Sequence, residues 1–354
     1  MTNRRRFLAG VLAAGACPRP TWAEAGAPAF LSAARASDGR YLLCGLRASG
    51  EVAFTLPLPD RGHAAAAHPV HPLAVAFARR PGRFAVVLDC VTGQEIARLD
   101  APEGRHFYGH GAFSPDGAHL FTSENAYDAA RGVIGVWSLA SGKRLTEFAS
   151  GGVGPHDIKL MPDGQRLVVA NGGIETHPDA GRAKLNIPLM EPNLSFLGLD
   201  GAVLDQQALD RPLHKNSIRH LAVAPDGLIG FAMQWQGDLS DDPPLLGLTR
   251  LGETPMLVTP PKAQAKRMMG YAGSVALLAD HNEVAITSPR GGLAQVFDTD
   301  TGALKRSFDM ADVCGVAATA QGFVLTSGTG DITHEAQGWT TSHALQWDNH
   351  LVPV

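Results

Sequence analysis

Four histidines, His106, His110, His156 and His220, carry the clearest chemical potential in this chain. Neutral imidazole is the commonest metal ligand, and an imidazole set suits the later first-row metals. Near them in sequence or repeat position stand Glu124, Asn125, Asn171 and Gln234. Arg105, Arg182, Arg219 and Arg290 could hold an anionic group through bidentate contacts. None of these belongs to a local metal signature: HExxH, CxxC and EF-hand spacings are absent. Any site must therefore be assembled from distant segments. A GxSxG elbow, a Walker loop and a Rossmann fingerprint are also absent, which argues against a hydrolase or a nucleotide enzyme. The plain alternative is that each histidine ends a strand and bonds its neighbour. Glu124 has the same two readings, a general base or ligand carboxylate against a hydrogen bond between repeats.

The elements that must position these residues are repeats. Gly104–Gly173 holds two similar units in tandem. Each has a histidine, a short apolar strand, a Pro-Asp-Gly turn, a second apolar strand and a polar end in Asn. Further copies begin at Phe30, at His63, near His106, at Pro155, at Ser217, near Gly270 and near Asp312, the last running to the C-terminus. Seven copies of about 47 residues match the blade size of a propeller. The predicted fold is all-β: a seven-bladed β-propeller of four-stranded antiparallel blades, one domain over residues 24–354. Asp116, Asp163 and Asp226 read as turn residues, and Thr92-Gly93, Ser141-Gly142 and Thr301-Gly302 as hairpins. Ile174–Asn193 is an insertion between the second and third strands of the fourth blade. A loop of that length is usually functional or a contact surface.

In a propeller, the loop entering an inner strand shares a face with the loop after the second strand. That rule places His68, His71, Arg105, His106, His110, His156, Arg219, His220 and Tyr271 at one mouth. Glu124, Asn125, Asn171, Gln234, Arg290 and the insertion, with Arg182, join them. His177, His334 and His343 are expected in solvent-facing loops.

Hydrophobic content of 45% and charged content of 18% fit a large buried core and not a disordered chain. Arg4-Arg5-Arg6-Phe7-Leu8 and the short apolar run after it read as a twin-arginine export signal, cleaved after Ala23. Cleavage removes four arginines (Arg4, Arg5, Arg6, Arg19) and no acids, taking the formal charge from −4 to −8. A mildly acidic periplasmic chain has no general attraction to nucleic acid. No membrane segment is expected in the mature chain. Cys44, Cys90 and Cys314 would remain, read as three buried thiols, with a Cys44–Cys314 disulfide as the alternative.

Arg105-His106-Phe107-Tyr108-Gly109-His110-Gly111, Gly154-Pro155-His156, Ala170-Asn171-Gly172-Gly173-Ile174 and Ser217-Ile218-Arg219-His220-Leu221 resemble a bacterial family. Its members are twin-arginine-exported seven-bladed propellers classed as a domain of unknown function. Leu185-Asn186 and Met190-Glu191-Pro192 fit the same pattern. Members are commonly encoded beside imelysin-like and di-haem peroxidase-like proteins. The resemblance implies a place near periplasmic iron or haem handling, with iron-uptake proteins as partners. It supplies no catalytic residues.

The expectation is a non-enzymatic periplasmic propeller that binds a metal, haem or partner protein, with His106, His110, His156 and His220 as metal ligands. A metal-dependent oxidoreductase or lactonase-like enzyme on the same face is one alternative. A structural interaction module is the other.

Overall fold

The computed structural model describes residues 20–181 and 183–354. The expected signal therefore lies outside the described residues as far as Arg19, and so does Arg182. Seven antiparallel sheets follow one another around a ring, confirming a seven-bladed propeller. Six blades are consecutive four-stranded runs. Their inner strands are Gly62–Ala67 (blade 2), Arg105–Phe113 (blade 3), Pro155–Leu160 (blade 4), Asn216–Val223 (blade 5), Ser274–Leu278 (blade 6) and Val313–Thr319 (blade 7).

Blade 1 is built from both ends of the chain. Its inner edge is Leu345–Trp347 with Val352–Pro353, and both pair antiparallel with Phe30–Ala36. This corrects the expected seventh repeat, which ran to the C-terminus. Blade 7 is complete at Ser342, and the tail closes the ring.

The core lies between the blades. Each of the seven junctions has its own apolar cluster. Phe77, Phe107, Leu120 and Trp137 join blades 2 and 3; Val168, Phe196, Phe231 and Met233 join blades 4 and 5. Phe30, Leu42, Val324, Ile332 and Trp347 seal the closing seam between blades 7 and 1. Inner and second strands are buried on both faces, which explains their continuous apolar runs. Outer strands such as Glu95–Asp100 alternate with solvent.

The turns follow their sequence. Asp116, Asp163 and Asp226 accept hydrogen bonds from the backbone N–H two residues on, at 3.0, 2.9 and 3.1 Å. The insertion leaves blade 4 after Asn171 and returns at Asn193. Asn186 pins it, accepting from the Glu175 N–H at 2.7 Å and donating to the Gly173 carbonyl at 2.9 Å. A six-residue helix, Lys262–Arg267, links blades 5 and 6. No helix among the described residues is long and apolar enough to cross a membrane. The three thiols are free and buried.

Trp347 is buried in the closing seam, and its indole donates to the Gly330 carbonyl at 3.2 Å. Trp347→Ala is expected to cost about 3–5 kcal/mol, as for large aromatic deletions in cores. Urea denaturation should show this as a lower midpoint; an unchanged midpoint would mean that the seam contributes little.

Candidate metal centre in the channel

The inner strands carry the key irregularities. Strand register shifts between Gly62 and Ala65, Phe107 and Gly111, Pro155 and Asp157, and Ile218 and His220. His63, His110 and His156 sit inside these bulges and His220 at the edge of one. A bulge adds a residue and re-aims side chains, here toward the axis. In blade 1 the inner strand breaks between Trp347 and Val352, and Asp348 and His350 occupy the break. Gly109 permits the close packing. Its φ is +97°, and a Cβ there would stand 2.7 Å from the His63 ring.

Five consecutive blades thus each donate one histidine to a single layer. Ring centroids lie 4.5 Å apart for His63–His350, 4.6 Å for His110–His350, 4.7 Å for His220–His350 and 4.8 Å for His156–His220. Two triads, His63–His110–His350 and His110–His156–His220, bring their ligand atoms within 4.8 Å of one another. Zn–N bonds run about 2.0–2.1 Å, so modest side-chain rotation would close either triad around one ion.

Two buried carboxylates orient the layer. His63 Nδ1 lies 3.0 Å from Asp348 Oδ1, and His110 Nδ1 lies 3.0 Å from Asp157 Oδ1. A carboxylate partner assigns the proton to Nδ1 and leaves the Nε2 lone pair pointing inward. Each carboxylate is itself held. Asp348 takes Arg61 and Arg79, each at 2.9 Å. Asp157 takes the backbone N–H of Ile158 at 2.8 Å and of Leu221 at 2.9 Å. The inward side is under-satisfied. His63 Nε2 meets His350 Nε2 at 3.2 Å, whereas His110 Nε2 and both nitrogens of His220 are buried without a partner. Each such atom costs about 1–3 kcal/mol unless something unseen satisfies it.

Burial keeps His63, His156, His220 and His350 neutral. It pushes His63 down to about 4 against the opposing pull of Asp348. Burial holds His156, His220 and His350 well below the usual histidine range. Burial alone would raise the Asp157 and Asp348 carboxyls. Lys159 and His110 outweigh it at Asp157, and His63 and Arg79 at Asp348, so both stay ionised.

The layer divides the channel. On one side is a cavity of ≈ 220 Å³ with His63, His156 and His220 on its wall, reached by Lys184 from the insertion. On the other is a cavity of ≈ 370 Å³ lined by leucine, valine and alanine side chains together with Asp157, Lys159 and His350. His220 borders both.

The expected site residues fall into two groups. His110, His156 and His220 converge, and Arg219, Gln234 and Arg290 line the mouth above them. His106 does not join the four-histidine set expected. Its Nδ1 meets the Phe107 carbonyl and its Nε2 meets Asn125, both at 3.0 Å, because the bulge sends only His110 to the axis. Asn125 also donates to the Thr176 carbonyl at 3.0 Å, tying the insertion to blade 3. Glu124 is fully buried inside blade 3 and accepts from Thr122 and Arg144, each at 2.6 Å. Arg105 pairs with Glu147 at 2.9 Å. Asn171 locks the junction of blades 3 and 4 through Ser150, at 2.7 and 3.0 Å.

Two further expectations are corrected. His68 and His71 lie at the far end of the blade 2 inner strand, stacked 4.9 Å apart, so they are not at this mouth. His334 is buried in a strand and contacts Thr319 at 3.0 Å. His343 stands in a loop as expected, half-buried, with its Nε2 2.9 Å from the Gly50 carbonyl. His63, His350 and Asp348 were not singled out from the sequence. The signal for His63 was its place just before an apolar run, but that run is alanine, which is depleted in strands.

Acid should loosen this centre. The unfolded chain protonates its histidines below about pH 6.5, whereas folded His63 resists to about 4. The unfolded state therefore binds more protons. Stability of metal-free protein should fall as pH drops from about 6.5 towards 4, by up to about 1.4 kcal/mol per pH unit for each such histidine. Thermal melts across this range should show the loss, and a His156→Gln/His220→Gln variant should show a shallower slope. Equal slopes would contradict neutral burial of these two rings.

Against known proteins, the likenesses are these. Kuenenia stuttgartiensis hydrazine synthase is similar in structure, with a TM-score of 0.62 and 13% sequence identity, over 92% of this chain and 96% of that chain. At that identity the likeness shows the shared fold alone. No curated protein matches the chain. The model of a family described as "Protein of unknown function (DUF1513)" matches residues 56–354. With that match spanning six blades and the closing tail, the chain belongs to the DUF1513 family of proteins of unknown function.

Proposed function

We propose that this propeller binds a single d-block metal ion on its five-histidine layer and serves periplasmic metal handling, iron foremost. The observation that carries the reading is the pair of buried carboxylate–histidine contacts, His63–Asp348 and His110–Asp157, set behind inward nitrogens of which His110 Nε2 is unpartnered. Metal-ligating histidines almost always donate their other ring N–H to such a partner. An all-imidazole set suits copper, zinc, nickel or iron(II), whereas calcium and magnesium demand oxygen ligands. The emphasis on iron, the export and the partner proteins come from the family resemblance. The imidazoles contact one another across the layer, a spacing suited to one ion and not to a haem plane between them.

A second reading is structural. Both carboxylate–histidine pairs cross a blade junction, so they also tie blade 1 to blade 2 and blade 3 to blade 4. An enzyme with Glu124 as base draws less support, since that carboxylate is committed to Arg144 inside its blade.

Chelator-stripped protein titrated with Cu²⁺, Zn²⁺, Ni²⁺ and Fe²⁺, and assayed by calorimetry and elemental analysis, separates the readings. One ion per chain is expected. His110→Ala/His220→Ala should abolish uptake, and Asp157→Asn should weaken it about 10–100-fold. Absence of uptake, or uptake unaffected by the double change, would leave the structural reading.

A further inference from the structure

The mouth above the histidine layer has a chemistry of its own. Among the described residues no aspartate or glutamate lines its cavity, whereas Arg79, Arg80, Lys184, Arg219 and Arg290 do. Arg79 is neutralised by Asp348. Lys184, Arg219 and Arg290 have no carboxylate partner among the described residues. Lys184 donates to Gln236, Arg290 stacks over the Tyr271 ring at 4.5 Å, and Arg219 contacts His156 Nδ1 at 3.3 Å. Arg219 Nε is buried without any partner. In a chain of net charge −4 this is a local concentration of one sign. Like charges gathered in a partly enclosed, low-dielectric cavity repel strongly. Lys184 registers it: burial first, then Arg219 and Arg290, lowers its amine below the usual lysine range.

A ligand that brings negative charge relieves that repulsion. The three cations stand on three separate supports: Lys184 on the blade 4 insertion, Arg219 on the blade 5 inner strand, and Arg290 after the second strand of blade 6. Guanidinium forks match planar carboxylates in pairs of parallel hydrogen bonds, and lysine supplies a point contact. Gln234, Gln236 and Tyr271 add polar groups between them. Cations spread in this way suit an anion with several separate arms better than one compact tetrahedral ion. His156 and His220 border the same cavity, so an arm can reach the histidine layer.

We propose that this mouth seats a small polycarboxylate on Lys184, Arg219 and Arg290, and that one of its oxygens completes the coordination of the ion beneath. The second half rests on the metal-binding reading above; the first does not. In this arrangement the propeller takes its metal as an anionic carboxylate chelate. The ion's charge adds to the attraction that holds the anion, and the anion offsets the ion's charge.

Citrate is the probe, with phosphate as the compact comparator, followed by calorimetry on metal-free and metal-loaded protein. Metal-free protein should bind citrate, more weakly as salt rises and more tightly than it binds phosphate. Arg290→Gln and Lys184→Gln should each weaken citrate about tenfold or more while leaving ion uptake in citrate-free buffer intact. Circular dichroism of each variant checks the fold. Metal loading should tighten citrate binding. Failure to bind citrate, equal affinity in the variants, or preference for phosphate overturns the proposal even if ions bind. Citrate binding unchanged by loading overturns the coordination step. Citrate binding with no ion uptake overturns the metal reading and leaves the anion seat standing.

Discussion

The hydrogen-bonded pairing of Ala34 with Trp347 and of Leu31 with Val352 closes the ring, and the channel chemistry depends on it. A blade cannot bury both faces alone, so each apolar cluster needs its neighbour. Six junctions form between segments adjacent in sequence. The seventh joins the two ends of the chain. The same tail that closes it delivers Asp348 and His350 to the axis. Packing and chemistry are therefore assembled by one contact of very long sequence separation.

Within the closed ring, two electrostatic environments meet at the histidine layer. His63, His156, His220 and His350 are buried deeply enough to stay neutral, while the carboxylates Asp157 and Asp348 stay ionised through their charged and hydrogen-bonded neighbours. Above the layer Lys184, Arg219 and Arg290 have no carboxylate partner among the described residues; below it leucine, valine and alanine side chains share the wall with Asp157, Lys159 and His350. The two sides thus differ in charge, and an anion meets a cationic wall at the mouth. The insertion contributes to that asymmetry through Lys184, and Asn125 and Asn186 hold it in place.

The fold was legible because its signals are local and repeated. Pro-Asp-Gly turns, Gly hairpins and apolar strand pairs recur at one spacing, and the observed blades follow them. The site was half legible. His110, His156 and His220 stand in recognisable inner strands, so their convergence follows from the ring. His63 was obscured by an alanine-rich strand whose small side chains suit the crowded axis but not strand propensity. His350 was hidden by assigning the tail to the last repeat, an error of long-range pairing that no local pattern reveals. His106 and His110 could not be told apart, since which of them faces the axis depends on a bulge between Phe107 and Gly111. Glu124 owes its ion pair to Arg144, two strands away in the same blade.

The contact between His63 and His350 spans 287 residues of chain. An ion shared by these two rings would act as a clasp, fastening the first complete blade to the C-terminal tail. Cross-links that close the longest loops restrict the open chain most, and they act only if the native geometry accepts them without strain. Here the geometry is already formed by the ring. Loading and fraying thus become opposed events: a tail that peels away carries off His350 and the carboxylate that supports His63, and a filled centre holds the tail down.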